Sequence, residues 1–113
     1  MKDCLFCKII AGEIPSEKVY ENDDVFAFKD ISPQAPFHAV IVPKAHIGSA
    51  AEINAENSRY AAKIFEAVAE IAKEQKLDNG FRVVTNAGED GGQTVGHLHF
   101  HMLAKRYLQW PPG

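Results

Sequence analysis

Five histidines occur in the chain, and three stand at alternate positions: His97, His99 and His101, separated by Leu98 and Phe100. Residues two apart point to one face of a β-strand. A strand over residues 97–104 therefore shows three imidazoles on one face and Leu98, Phe100 and Met102 on the other. Imidazole, with an ordinary pKa of about 6.5, is both a nucleophile and a proton carrier near neutrality. A lone histidine is most often an ordinary core or surface residue. A row of three is not, because charging neighbouring imidazoles is unfavourable and core packing has easier solutions. Two chemistries fit the row. Histidines at i and i+2 can share a metal, or one can attack as a nucleophile with its neighbours assisting.

The segment before the row bears on that choice. Asn86-Ala87-Gly88-Glu89-Asp90-Gly91-Gly92-Gln93-Thr94 is rich in glycine and leads into the histidines. Glycines let backbone N–H groups approach an anion closely, and Asn86 and Thr94 add neutral hydrogen-bonding groups. Beside a histidine row, such a loop points to a phosphate held next to a nucleophile. A second cluster lies near the start, where Cys4 and Cys7 form a C-x-x-C pair. This spacing accepts three readings: zinc, redox chemistry or two ordinary thiols. A structural zinc site wants four nitrogen or sulfur ligands, so two more are required; His46 and His97 are the candidates.

These residues need a frame. Residues 4–10 read as a short helix stopped by Gly12 and Pro15. Val19-Tyr20 and residues 25–28 read as strands joined at Asn22-Asp23, a hairpin. Residues 39–42 form a third strand closed by Pro43. Ala61, Ile64, Phe65, Val68, Ile71 and Ala72 recur at spacings of three and four, the mark of a long amphipathic helix. Asn54 is its expected N-cap, with a start a few residues later as the alternative, and Asn79-Gly80 its expected close. Residues 81–85 and 97–104 supply the last strands. Strands, helix, strands predicts the α+β class: an antiparallel sheet of about five strands with one long helix on a face and a short N-terminal helix. Trp110-Pro111-Pro112-Gly113 cannot be helix or strand interior. We expect one domain over 1–113, with residues 105–113 as a C-terminal arm.

The length of 113 residues and the 46% hydrophobic and 24% charged content are those of an ordinary globular domain. A net charge of -3 without a basic run speaks against nucleic-acid binding. No apolar stretch approaches the ~20 residues that span a bilayer, so no membrane association is expected. Met1-Lys2-Asp3-Cys4 does not open a long apolar secretory core, and two cysteines are too few for a secreted disulfide framework. The expected location is the cytoplasm.

The run His97-Leu98-His99-Phe100-His101-Met102-Leu103 resembles the signature of the histidine triad family. The resemblance covers nearly the whole chain: Asp30-Ile31-Ser32-Pro33-Gln34-Ala35-Pro36, His38, Pro43-Lys44, His46, Gly91-Gly92-Gln93-Thr94 and Gln109-Trp110-Pro111-Pro112-Gly113 are similar to family segments in order. The last resembles the C-terminus of the nucleotide-binding branch. This implies a homodimer that binds purine nucleotides such as AMP or GMP and hydrolyses nucleoside phosphoramidates. The catalytic set is then His99, the nucleophile, His101, its phosphate-facing neighbour, His97, the first of the triad, and His38, an aid to proton traffic. Asn86, Gly92, Gln93 and Thr94 would hold the phosphate, with Thr94 where serine is usual. Asp30 would accept from the ribose, Phe28 and Ile31 line the base pocket, and Trp110 reach the partner's site. The resemblance to zinc-carrying bacterial members implies structural zinc on Cys4, Cys7, His46 and His97, with no metal required for catalysis. A dinucleoside polyphosphate hydrolase and a non-catalytic nucleotide-binding regulator are the alternatives.

Overall fold

In a computed structural model, residues 3–113 are described; Met1 and Lys2 lie outside them. A short helix α1 (Leu5–Ile10) precedes the hairpin of β1 (Lys18–Glu21) and β2 (Val25–Lys29). Then come β3 (Phe37–Pro43), a 3-10 turn (Ala50–Glu52), helix α2 (Ser58–Glu74), β4 (Phe81–Thr85) and β5 (Phe100–Ala104). Five antiparallel strands form one sheet, as the strand and helix pattern predicted, and their order is β1-β2-β3-β5-β4.

The alternating side chains sort onto two faces. Val25, Ala27, Phe37, Ala39, Ile41, Phe100 and Met102 pack with Ile64, Ala67, Val68 and Ile71 of α2. Phe26, Phe28, Val40 and Val42 point to the opposite face and meet Phe6 and Ile9 of α1. The central strand β3 is buried throughout, since α2 covers one face and α1 with the hairpin aromatics covers the other. Asn22 makes the hairpin turn by accepting from the backbone N–H groups of Asp24 and Val25, both at 2.9 Å.

Several boundaries differ from expectation; β3, for one, begins at Phe37 and includes Pro43. The last strand begins at Phe100 rather than at residue 97, because its ladder with β3 ends at Ile41↔Phe100. Beyond that pair, Leu98 N–H donates to Ile47 O (2.6 Å) and the His97 ring reaches the Pro43 carbonyl. Helix α2 starts at Ser58, the later of the two expected starts, because Asn54 and Asn57 build their own turn: Asn54 Oδ1 accepts from Glu56 and Asn57, and Asn57 Oδ1 accepts from Asn54 N–H. Its end is a Schellman turn, not Asn79-Gly80. Leu77 N–H donates to Ala72 O and Lys76 N–H to Lys73 O, with Lys76 left-handed at φ 55°. Burial of Leu77 in the main core holds that turn. Gly80, at φ 97°, instead serves the entry to β4.

Candidate active site and metal centre

His99 and His101 lie side by side with ring centres 5.2 Å apart, but the three histidines make different bonds. His99, 4% exposed, directs Nδ1 to the carbonyl of His97 at 2.7 Å. A carbonyl only accepts, so Nδ1 carries the proton and Nε2 keeps its lone pair. Thr85 Oγ1 donates to the His99 carbonyl at 2.7 Å and fixes the backbone at that position. The edge-to-face ring of Phe6 lies 4.9 Å from the His99 ring, centre to centre. His99 and His101 line a cleft of about 530 Å³. Its apolar lining includes Leu5, Phe6, Ile9, Phe28 and Val40; its polar lining includes Asp30, Asn86 and Thr94.

His101 takes its tautomer from His38. Gln34 N–H donates to His38 Nδ1 (3.0 Å), so the proton of the neutral His38 ring sits on Nε2. That Nε2 donates to His101 Nδ1 at 2.9 Å, which leaves the His101 proton on Nε2. Register explains the contact: His101 pairs with Val40, and His38 is its diagonal neighbour on the same face. Asp30 Oδ2 stands 3.4 Å from His38 Nε2 and 3.8 Å from His101 Nδ1, while its Oδ1 accepts from Ser32 N–H. Burial pushes both imidazoles below the ordinary histidine value, and the Asp30 carboxylate opposes the shift.

The glycine-rich loop is held by its own Gln93 and tied through it to the segment after β3. Gln93 Oε1 accepts from Gly88 N–H, and Gln93 Nε2 donates to the carbonyls of Gly48 and Val95. Gln93 N–H donates to Gly88 O. Gly91 allows a close backbone crossing: a Cβ there would lie 2.6 Å from Ala87 O and 2.9 Å from Ala87 N.

His97 faces away from this chemistry. Its Nε2 lies 3.0 Å from Pro43 O, so Nε2 donates and the Nδ1 lone pair is free. Nδ1 lies 3.3 Å from Cys4 Sγ and 3.5 Å from Cys7 Sγ, and Cys7 Sγ lies 3.4 Å from His46 Nδ1. All four ligand atoms fall within 4.8 Å of one another. Zinc-to-ligand bonds of about 2.3 Å for sulfur and about 2.0 Å for nitrogen put tetrahedral S···N edges near about 3.5 Å. The donor set and its spacing therefore fit a tetrahedral cation, and the Pro43 carbonyl orients the imidazole as an outer partner does in metal sites. Burial and the adjacent Cys4 push the Cys7 thiol up to about 11, a cost that a bound cation removes.

Of the residues expected in the cleft, Phe28, Asp30, Ile31, Asn86, Gly92, Thr94, His99 and His101 line it. Ile31 does so from the rim, 98% exposed. Gln93 does not; its backbone amide bonds Gly88 O within the loop, and its side chain bonds Gly88 N–H and the carbonyls of Gly48 and Val95. His38 sits behind His101, and His97 has both ring nitrogens engaged elsewhere. Trp110 is outside the cleft of its own subunit, where the Arg82 guanidinium lies 5.9 Å from its ring and holds the carbonyls of Leu108 and Gln109. The sequence reading missed Leu5, Phe6, Ile9, Thr85 and the Gln34 amide. Only the apolar side of α1 left a local signal.

A sheet that presents a desolvated imidazole beside a glycine-rich loop, backed by two further histidines of the same row, defines a histidine-triad protein. The HIT domain model matches residues 11–108, and the chain belongs to the HIT domain family. It is 43% identical over 119 residues to a 14 kDa zinc-binding protein of Brassica juncea, covering 98% of this chain and all of that one. A HIT family hydrolase from Legionella pneumophila Philadelphia 1 superposes with TM-score 0.95 at 44% identity, covering 98% of this chain and all of the other. A histidine triad nucleotide-binding protein from Candida albicans superposes with TM-score 0.85 at 36% identity, covering 96% and 83%.

Proposed function

We propose that the protein is a purine nucleoside phosphoramidase. The observation that carries this is the His99 ring: Nδ1 is anchored on the His97 carbonyl, so Nε2 is the nucleophilic atom at the cleft. The apolar lining around Phe28 and Ile31 takes the base, and the free valences of Asp30 accept from the ribose. The phosphate lies against the loop, near Asn86, Gly92 and Thr94. His99 Nε2 attacks the phosphorus, the P–N bond breaks and a nucleotidyl-histidine forms. His101 Nε2–H donates to the phosphoryl oxygen as charge grows there. The departing amine takes a proton from the Thr94 hydroxyl, which water recharges. The hydroxide left when that water recharges Thr94 then cleaves the P–N bond to His99, releasing the nucleoside monophosphate.

Cys4, Cys7, His46 and His97 hold zinc in this reading. The ion supplies no step of the reaction; it fastens α1 and His97. The Brassica relative's description as zinc-binding, and the hydrolase and nucleotide-binding descriptions of the two structures, support it. Among the described residues no helix is long and apolar enough to cross a membrane. We place the protein in the cytoplasm, where thiols stay reduced, as a homodimer formed through α2 and the β4 edge, where Phe65 and Phe81 are exposed.

The test compares turnover of an adenosine 5′-alkylphosphoramidate with that of diadenosine polyphosphates. Wild type should prefer the former, and His99→Gly should lose more than about a thousandfold in kcat while remaining folded. Undiminished turnover by His99→Gly removes His99 as nucleophile. Preference for the polyphosphates transfers the protein to the alternative hydrolase class.

A further inference from the structure

Helix α1 belongs to both sites at once. Cys4, its N-cap, and Cys7, one turn later, point to His46 and His97. Leu5, Phe6 and Ile9 line the cleft. The Phe6 ring bridges the two: it lies 6.0 Å from the His97 ring, 4.9 Å from the His99 ring and 5.6 Å from Phe28, all edge-on.

A helix of six residues does not hold itself in water. Its attachments therefore decide whether it is in place. Among the described residues, the hydrogen bonds between residues 3–14 and the rest of the chain all run through the Cys4, Cys7, His46 and His97 cluster. The remaining backbone bonds of this segment, such as Ala11 to Cys7 and Glu13 to Lys8, are internal. Otherwise apolar packing alone, chiefly of Phe6 and Ile9, seats the helix on the sheet. A cation on the cluster ties α1 down, and a base in the cleft rests on the same helix from the other side.

We propose that α1 is a metal-tethered wall of the nucleotide cleft, so that zinc and nucleotide bind cooperatively, with Phe6 as the positioning residue that carries the coupling to His99. The inference rests on the nucleotide reading given above. Both ligands favour the seated helix over the unseated one, so each raises the affinity of the other by the same factor. A purely local staple for the N-terminal segment does not produce that reciprocity.

The experiment measures AMP affinity calorimetrically on zinc-loaded and chelator-stripped wild type, with circular dichroism confirming that the stripped protein is folded. Cys4→Ser serves as a second metal-free form. Zinc affinity is measured by chelator competition with and without AMP. Zinc should tighten AMP about tenfold, and AMP should tighten zinc by the same factor. Phe6→Ala should keep one zinc per chain and lose most of the coupling, and Phe6→Leu should recover part of it. Equal AMP affinity in loaded and stripped protein overturns the coupling and leaves the nucleotide reading standing. No AMP binding by the loaded protein overturns both. Full coupling in Phe6→Ala removes Phe6 from its role.

Discussion

His38 and His101 act as one hydrogen-bonded unit, with Gln34 N–H at one end and the His101 Nε2 proton at the other. Burial lowers the pKa of both rings in the fold, against the ordinary value of 6.5. The groups facing them are His99, which adds to the lowering at His101, and Asp30, which opposes it. Between the folded and unfolded values the unfolded chain binds more protons, so stability is full above about pH 6.5 and falls as the pH drops. The urea midpoint of zinc-loaded protein should fall between about pH 7.5 and about pH 5.5. His38→Gln should show a shallower fall, by on the order of 1 kcal/mol per pH unit. An identical slope in the two proteins would show that the pair is not a source of this pH dependence.

The loop between β4 and β5 is shaped by one residue, Gln93, which bonds both within the loop and to Gly48 beyond it. Gln93 was legible as part of a phosphate-holding motif, yet its amide and carboxamide brace the loop itself. Asn86, Gly92 and Thr94 of this loop line the cleft. Gly91 is required by close approach rather than by φ. In Gly91→Ala the new Cβ meets the Ala87 backbone, which is not the end of a flexible side chain and cannot simply rotate away. Turnover should drop at least about tenfold with a stability change of about 1–3 kcal/mol, the usual range for overpacking. Unchanged kinetics would show that the loop geometry does not matter to the reaction. The ends of α2 teach a related lesson. Its apolar period was plain, but Asn54 and Asn57 bonding each other, and Leu77 drawn into the core, moved both boundaries inward.

At the scale of the molecule, the cysteine-histidine cluster joins three separated pieces of chain: α1, the segment after β3, and the approach to β5 all converge on it through Cys4, Cys7, His46 and His97. A ligand that binds only the folded state stabilises it by mass action, about 4 kcal/mol at a thousandfold excess over Kd. Removing zinc with a strong chelator should therefore lower Tm by on the order of 10 °C, and added zinc should restore it. A Tm indifferent to chelation in protein purified without chelator would count against the metal. The C-terminal residues are held on their own subunit by Arg82, so any reach of Trp110 toward a partner depends on the assembly.

Much was determined by the sequence alone. Alternation set the three imidazoles on one face, β-branched runs marked the strands, and the 3.6-residue period marked α2; these are local properties of neighbouring residues. The candidate residues for both sites were legible because their types carry the chemistry. Only the tertiary structure decided what each histidine does. His97, His99 and His101 share nearly the same covalent surroundings, but the fold sets two thiols and the Pro43 carbonyl against the first ring. It turns the second onto its own backbone and gives the third to His38, 63 positions away in the chain. The wall supplied by Leu5, Phe6 and Ile9 was hidden for the same reason: no local pattern says that residue 6 will touch residue 99. Reactivity of an imidazole depends on which nitrogen holds the proton, and that is settled by partners distant in sequence and adjacent in space.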